Sequence, residues 1–218
     1  MLKELFKKHG TDKLEHGYAD FYEGYFGPIR ESVKAFLEIG VYRGSSMRVW
    51  REYFPNARIL GIDDGRWQKN WSIPGGRAHV WLADQADRTA MARVLAEADG
   101  PLDVVLDDGG HTMWQQQVSL ACLLPGVRSG GLYVVEDLHS SFRPTIGYYE
   151  GRKYVQLYAT GSDFPLTTTH EVISKWPDVK SDYMTQDEWD IAVSLVGEVD
   201  IFDRDGDHKH ITAVLEVL

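Results

Sequence analysis

The sequence predicts an α/β protein built around a mostly parallel sheet. Short apolar runs, each ending near a glycine or an acid, alternate with stretches of helical character between residues 35 and 136. The last two apolar runs flank a good turn at residues 204–207, and so predict a terminal antiparallel hairpin. With 218 residues, 43% hydrophobic and 26% charged, the chain suits a single domain, residues 1–218, with a sizeable core.

Five of the predicted strands come first and are separated by helices. The strands cover residues 35–41, 58–63, 78–83, 102–107 and 131–136, and the helices residues 44–54, 87–98 and 113–125. Parallel strands need a crossover connection, so this alternation indicates βα units. A further helix is expected around residues 186–196, and the terminal hairpin pairs residues 199–203 with residues 210–217.

Two segments lie outside this alternation. Residues 1–34 are expected to form an N-terminal helical cap or lid. Residues 142–185 are rich in Tyr, Thr, Gly and Pro, and we interpret them as an insertion that faces the substrate. Its aromatic residues either pack on an apolar acceptor or cover the sheet as ordinary core; they are Tyr148, Tyr149, Tyr154, Tyr158, Phe164 and Trp176.

The charge distribution argues against nucleic acid as the main partner. The formal net charge is −10, and the acids are spread along the chain, whereas a duplex-binding domain normally carries a basic stripe. The one basic cluster, Lys3, Lys7, Lys8 and Lys13, is interpreted as the solvated face of a first helix.

Cysteine content and hydropathy predict a reducing, cytoplasmic setting. A single cysteine, Cys122, excludes an internal disulfide and lies in an apolar run where a buried, inert thiol is expected. No apolar stretch reaches the length of a signal peptide or a membrane span, so no membrane partner is expected. A homo-oligomer is compatible with the sequence.

A nucleotide-like ligand is indicated where the first strand ends. Glu38, Gly40 and Gly44 surround that turn, and glycine admits a ligand that a Cβ would exclude while the helix start offers free N–H groups. The G-x-x-x-G spacing differs from the G-x-G-x-x-G of dinucleotide binders. Taken alone, the glycines are equally compatible with an ordinary turn.

The next two strands also end in acids. Asp63 lies about twenty residues past the glycine loop, where an acid can accept hydrogen bonds from ribose hydroxyls. Asp84 and Gln85 follow the third strand and are candidates to bind an adenine amino group. Each acid alone is compatible with a helix cap or a turn, but three successive strand ends together favour a nucleoside-like cofactor.

The densest chemical signal follows the fourth and fifth strands. Residues 107–111 read Asp-Asp-Gly-Gly-His, and Glu136 and Asp137 end the neighbouring strand. Adjacent strands lie about 4.8 Å apart, so these carboxylates repel one another unless they are protonated or share a cation. Oxygen ligands suit Mg²⁺, Mn²⁺ or Ca²⁺. The alternative is a structural role, in which Asp108 and Asp137 cap helices and His111 forms hydrogen bonds within a turn.

Histidine is suited to act as a base near neutral pH. Gly109 and Gly110 are expected to permit a tight turn that brings His111 over the acids. A bound metal lowers the pKa of a hydroxyl, and His111 is then placed to remove its proton.

In these motifs the chain resembles the macrocin and mycinamicin family of metal-dependent sugar O-methyltransferases. The resemblance covers roughly residues 10–141, whereas residues 142–185 contain no matching motif. The matching elements are Gly10-Thr11-Asp12-Lys13 with His16 and Tyr18, Leu37-Glu38-Ile39-Gly40-Val41, Gly44-Ser45-Ser46, Tyr53-Phe54-Pro55-Asn56-Ala57, Gly61-Ile62-Asp63, Asp84-Gln85, Asp107-Asp108-Gly109-Gly110-His111 and Val135-Glu136-Asp137-Leu138-His139-Ser140-Ser141.

The resemblance implies a Rossmann-like class I methyltransferase fold with a seven-stranded sheet, S-adenosylmethionine as donor and Mg²⁺ as metal. It implies Asp108, Glu136 and Asp137 as metal ligands and His111 as the base. The expected donor-binding residues are Glu38, Gly40, Gly44, Ser45, Asp63, Asp84 and Gln85, with Asp107 beside the donor or the metal. The expected acceptor-binding residues are Tyr18, His139, Tyr148 and Tyr149. The segment containing residues 10–18 resembles one that closes over both ligands.

Methyl transfer to a hydroxyl of a deoxysugar on a secondary metabolite is therefore the leading hypothesis, with a small glycoside or polyol as acceptor. A second hypothesis is methylation of a catechol or another phenol by the same metal chemistry. A third is a nucleoside-binding or assembly protein that has lost catalysis. A nicotinamide oxidoreductase fits least well, because the glycine spacing is wrong.

Overall fold

The computed structural model describes residues 1–67, 71, 76–142, 145–149, 152–156, 167–204, 206 and 209–218. Within residues 145–149 and 152–156 only the backbone pairing is described. The helices are α1 (Leu2–His9), α2 (Tyr18–Phe26), α3 (Ser45–Tyr53), α4 (Arg88–Glu97), α5 (Met113–Leu123), α6 (Thr169–Ser174) and α7 (Gln186–Leu195). The strands are β1 (Ala35–Ile39), β2 (Arg58–Asp63), β3 (Ala78–Leu82), β4 (Leu102–Asp107), β5 (Val127–Val135), β6 (Thr145–Tyr149), β7 (Arg152–Gln156), β8 (Val196–Asp203) and β9 (Ile211–Val217).

Seven strands form one sheet in the order β3-β2-β1-β4-β5-β9-β8. Strands β1 to β5 are parallel, whereas β9 runs antiparallel to β5 and β8 antiparallel to β9. The predicted fold class and terminal hairpin are confirmed. Strand β5 begins four residues earlier than the apolar run at 131–136 indicates, because Val127 still pairs with Leu102 before the register shifts.

Helices cover both faces of the sheet. Alternate residues of β1 point to opposite faces, so Leu37 packs with α4, α5 and α7 while Phe36 packs with α1, α2 and α3. All five residues of β1 are buried, as is usual for the central strands of a parallel sheet. The N-terminal helices are therefore a structural layer, with Tyr22 and Phe26 stacked at 5.0 Å beside Trp50.

The segment interpreted as an insertion divides into two parts. Strands β6 and β7 form a separate two-stranded sheet. Residues 167–185 instead contribute to the core, since Val172, Ile173 and Met184 are buried. Trp176 packs against Trp189 with ring centroids 4.7 Å apart, which favours the alternative of ordinary core for this residue. Tyr158 and Phe164 lie outside the described residues, and the side chain of Tyr154 on β7 is not described.

Two further expectations concern single features. Cys122 is half-buried against the core, and burial raises the pKa of its thiol to about 11, as expected for an unreactive cysteine. Among the helices in the described part of the chain, none has the length and apolar character needed to cross a membrane.

The strand register brings the chemical residues to one edge. Ile39, the last residue of β1, pairs with Ile62 of β2 and Asp107 of β4, and Asp107 pairs with Val135 of β5. The residues that follow these strands therefore converge at the carboxyl edge, where open α/β sheets bind ligands.

Candidate active site

A cavity of about 570 Å³ runs along the carboxyl edge of the sheet. Residues 10–13 and His16 of the N-terminal segment form part of its wall. The predicted site residues that line it are Gly40, Ser45, Asp63, Asp84, Gln85, Asp108, His111, Glu136 and Asp137. Those that do not line it are Glu38, Gly44, Asp107, Tyr18 and His139.

Gly40 allows two strand ends to meet. Its φ is 88°, and a Cβ there would lie 1.9 Å from the backbone oxygen of Asp108. Glycine is thus required for close contact between the loops after β1 and β4, in addition to any approach of a ligand. Gly44, at φ 77°, precedes Ser45, which begins α3 and lines the cavity.

Glu38 lies beneath the glycine loop, away from the cavity. Its Oε2 accepts a hydrogen bond from Ser46 Oγ at 2.8 Å, and its Oε1 accepts one from Trp50 Nε1 at 3.1 Å. Burial raises the pKa of Glu38 to about 7. Glu38 thus fastens α3 to β1 from outside the cavity lining, and its contact with a donor stays a prediction.

Asp63 and Asp84 are held by backbone donors next to the cavity. Asp63 accepts from the amides of Tyr42 and Gly65, both at 2.8 Å, and Asp84 accepts from the Ala86 amide at 2.9 Å. Burial raises the pKa of both carboxyls. Asp84 is fixed by the turn after its own strand, and Asp63 both by its own turn and by the loop after β1.

Gln85 and Asp107 connect strand ends inside the protein. Gln85 Nε2 donates to Asp107 Oδ1 at 3.0 Å, and its Oε1 accepts from the Gly110 amide at 2.7 Å. Ser119 Oγ also donates to Asp107, at 2.5 Å, and burial raises the pKa of Asp107 to about 6. Gln85 also lines the cavity, so its contact with the donor stays a prediction. Asp107 is fully buried behind that lining, where it holds Gln85 in place beside the donor end.

Gly109 and Gly110 provide space, whereas the left-handed turn is made by His111 itself. A Cβ on Gly109 would lie 1.9 Å from Gln85 Oε1, and one on Gly110 would lie 2.1 Å from Gln115 Oε1. His111 has φ 55° and Asp137 has φ 57°. Such backbone costs a non-glycine residue of order 1 kcal/mol and clusters at functional sites.

Two of the three predicted metal ligands, Asp108 and Glu136, contact a buried lysine. Lys13 is 1% exposed, and its Nζ lies 2.5 Å from Asp108 Oδ2 and 2.7 Å from Glu136 Oε1. The Tyr22 hydroxyl also donates to Glu136 Oε1. The interpretation of Lys13 as part of a solvated face is therefore wrong, although Lys3, Lys7 and Lys8 are exposed.

Burial and mutual repulsion shift the titration of these acids. Burial and the neighbouring Asp108 raise the pKa of Glu136 despite the opposing charge of Lys13. Burial likewise raises the pKa of Asp108, with Lys13 and His111 opposing it. Burial also acts to raise the pKa of Asp137, but contacts with His139 and His111 hold that pKa below its ordinary value.

Asp108, His111 and Asp137 form a second convergence of ligand atoms. One ligand atom from each lies within 4.8 Å of the others. His111 Nε2 is 3.9 Å from Asp108 Oδ1 and 3.6 Å from Asp137 Oδ2, and its Nδ1 is buried without a hydrogen-bond partner among the described residues. These partly buried carboxylate oxygens are ligands that a hard divalent cation prefers.

The residues predicted to bind the acceptor are placed differently. Tyr18 is fully buried with its hydroxyl 3.5 Å from Asp137 Oδ1, outside the cavity lining, and its contact with an acceptor stays a prediction. His139 Nδ1 is also 3.5 Å from Asp137 Oδ1, outside the cavity lining. Tyr148 and Tyr149 belong to β6, and their side chains lie outside the described part of the structure.

Lys13 and Tyr22 were missed as residues of the site. Both belong to the N-terminal segment, and their carboxylate partners are 95 to 123 residues away. The only local signal was that Lys13 ends the Gly-Thr-Asp-Lys motif, within a short 3-10 turn that Thr11 caps.

The known proteins that this chain resembles are methyltransferases. A family model described as a methyltransferase domain matches residues 37–138. The 8-demethyl-8-(2-methoxy-alpha-L-rhamnosyl)-tetracenomycin-C 3'-O-methyltransferase of Streptomyces olivaceus is 37% identical over 67% of this chain and 39% of its own length. The mycinamicin VI 2''-O-methyltransferase of Micromonospora griseorubida is 34% identical over 67% of this chain and 38% of its own length.

A solved structure extends the similarity to nearly the whole chain. The MycE methyltransferase of the mycinamycin biosynthetic pathway, in complex with Mg, SAH and mycinamycin VI, matches with a TM-score of 0.75 and 26% identity. The match covers 99% of this chain and 54% of that one. The chain thus spans about two-fifths to one-half of the length of these relatives. A methyltransferase domain therefore matches residues 37–138, and the chain shares the class I fold of these sugar O-methyltransferases.

Proposed function

We propose that the chain is an S-adenosylmethionine-dependent O-methyltransferase that uses a divalent metal to methylate a sugar hydroxyl on a small glycoside. The observation that carries this proposal is the continuity of one cavity, which joins Asp63 and Asp84 at one end to Asp108, Glu136 and Asp137 at the other. Relatives named for sugar O-methylation support the reaction class.

The donor is assigned to the end of the cavity formed by β1, β2 and β3. Gly40 and Ser45 lie where the methionine part would bind, with free N–H groups at the start of α3. Asp63 would accept hydrogen bonds from the ribose, and Asp84 is the candidate for the adenine. The bound donor supplies an electrophilic methyl group.

The metal is assigned to Asp108, Glu136 and Asp137. A divalent cation bound there would supply positive charge that lowers the pKa of an acceptor hydroxyl. His111 would accept the proton at Nε2, since that atom faces Asp108 and Asp137 and the side chain is 28% exposed. His111 is therefore the proposed base, and the three carboxylates are proposed to bind the metal.

An acceptor panel tests this function. Purified chain is incubated with S-adenosylmethionine, Mg²⁺ and either a rhamnosylated polyketide, its aglycone or a catechol, and methylated products are identified by mass spectrometry. Methylation of the glycoside alone supports the proposal. Methylation of the catechol alone contradicts the sugar assignment, and donor binding without turnover on any acceptor favours a non-catalytic protein.

A further inference from the structure

The acid cluster already holds a cation that the chain itself supplies. Lys13 is fully enclosed, and its ammonium contacts Asp108 and Glu136 at 2.5 and 2.7 Å. Both acids are among the proposed metal ligands. Three ionised carboxylates carry three negative charges, and Lys13 balances one of them.

We propose that Lys13 is the counter-ion of the metal-free site and that a divalent cation binds by replacing its ammonium at Asp108 and Glu136. This inference rests on the proposed function. An ammonium and a divalent cation that share the same two carboxylate oxygens would be only a few ångströms apart, where like charges in a buried site repel strongly. Lys13 therefore competes with the metal.

The position of Lys13 in the chain allows such an exchange. It lies in the 3-10 turn Asp12–Leu14, between α1 and α2. Leu2 and Phe6 of α1 and Tyr22 of α2 are buried in the core and hold both helices in place. Release of Lys13 would thus move only the short connection that forms one wall of the cavity, which couples metal binding to the shape of that wall.

A second arrangement makes the opposite prediction. A metal held only by Asp108 Oδ1, His111 Nε2 and Asp137 Oδ2, which lie within 4.8 Å of one another, would leave Lys13 in its place. In that case Lys13 would neutralise Glu136 permanently. Metal affinity in a Lys13 variant distinguishes the two arrangements.

Mn²⁺ binding to the full chain, measured by electron paramagnetic resonance without donor, is the test. We expect Lys13→Met to bind Mn²⁺ at least ~10-fold more tightly than the unsubstituted chain, because a competing positive charge is removed. The matched control is Lys8→Met, which removes a lysine paired with Glu52 on the surface and should change affinity by less than about twofold.

Equal or weaker Mn²⁺ binding by Lys13→Met, with normal binding by the unsubstituted chain, overturns the inference alone. Absence of binding by both proteins overturns the proposed metal site as well. If Lys13→Met does not fold, hydrogen exchange of the unsubstituted chain decides. Faster amide exchange in residues 11–16 on addition of Mn²⁺ supports replacement of Lys13, and unchanged or slower exchange overturns it.

Discussion

The two ends of the cavity hold their carboxylates by different means. At the donor end, Asp63 and Asp84 accept hydrogen bonds from backbone amides no more than 21 residues away. At the metal end, Asp108 and Glu136 are bound by Lys13, which is 95 and 123 residues away in the chain. The donor end is thus held by backbone amides of the strand-end loops, and the metal end by a distant cationic side chain.

This difference has a functional consequence. Backbone amides at the donor end are fixed by the sheet and its turns, so that end is preorganised for a ligand. The metal end instead balances repulsion among buried acids against one ammonium and nearby histidines. We therefore expect substitutions at the metal end to change Mn²⁺ affinity and to leave the affinity for the donor product nearly unchanged.

The largest expected effect is that of Asp108→Asn. Loss of one ligand charge should weaken Mn²⁺ binding and lower turnover by at least ~100-fold. Affinity for S-adenosylhomocysteine, measured by calorimetry, should stay within about threefold because the donor end is held by its own turns. A parallel loss of donor affinity would show that the two ends are not separable.

His111→Ala should lower turnover by ~100-fold or more while leaving Mn²⁺ affinity nearly unchanged, if His111 acts as a base. Single-turnover kinetics and Mn²⁺ titration on the same sample check this. His139→Ala is the matched control, since His139 contacts Asp137 but lies outside the cavity lining. If His111→Ala lost both turnover and Mn²⁺ binding, His111 would instead be a metal ligand.

Gly40→Ala tests the junction between the two ends. The new Cβ would lie 1.9 Å from the Asp108 oxygen, so both overpacking and positive φ should destabilise the fold, by about 2 to 4 kcal/mol in total. Gly76→Ala is the control, with φ 69° but no atom of the described residues within 4 Å of the new Cβ, and should cost only about 1 kcal/mol. Urea unfolding measures both, and equal costs would contradict the proposed close approach.

The smallest effect is expected for Asp63→Asn. The carboxylate is anchored by two amides, and its neutral isostere should weaken S-adenosylhomocysteine binding by about 10-fold. Mn²⁺ affinity should not change. Calorimetry with S-adenosylhomocysteine and with Mn²⁺ measures both affinities. A change in Mn²⁺ affinity alone would contradict the assignment of Asp63 to the donor end.

The fold and the edge that bears the site were predictable from the sequence because they depend on local patterns. Apolar runs and the acids that end them are enough to predict that Asp63, Asp84, Asp108 and Glu136 lie at one edge. The direction of each side chain was less predictable. In strands that are buried on both faces, apolar and polar residues do not alternate. The sequence of β1 and β4 therefore could not predict that the side chains of Glu38 and Asp107 are buried behind the cavity.

Contacts between distant segments were beyond the sequence. In the sequence, charge alone does not distinguish Lys13 from the exposed lysines Lys7 and Lys8. Only the packing of α1 and α2 on the sheet brings its ammonium to Asp108 and Glu136. The same applies to Trp176, which an aromatic-rich segment suggested for an acceptor and which packs on Trp189 in the core.

Metal dependence of turnover tests the central claim most directly. The chain is treated with chelator, supplied with S-adenosylmethionine and a rhamnosylated acceptor, and then titrated with Mg²⁺ while S-adenosylhomocysteine affinity is measured on the same sample. The proposed site predicts no turnover in chelator, recovery in proportion to added Mg²⁺, and donor-product affinity within about threefold throughout. Full turnover in excess chelator would contradict a metal centre at Asp108, Glu136 and Asp137.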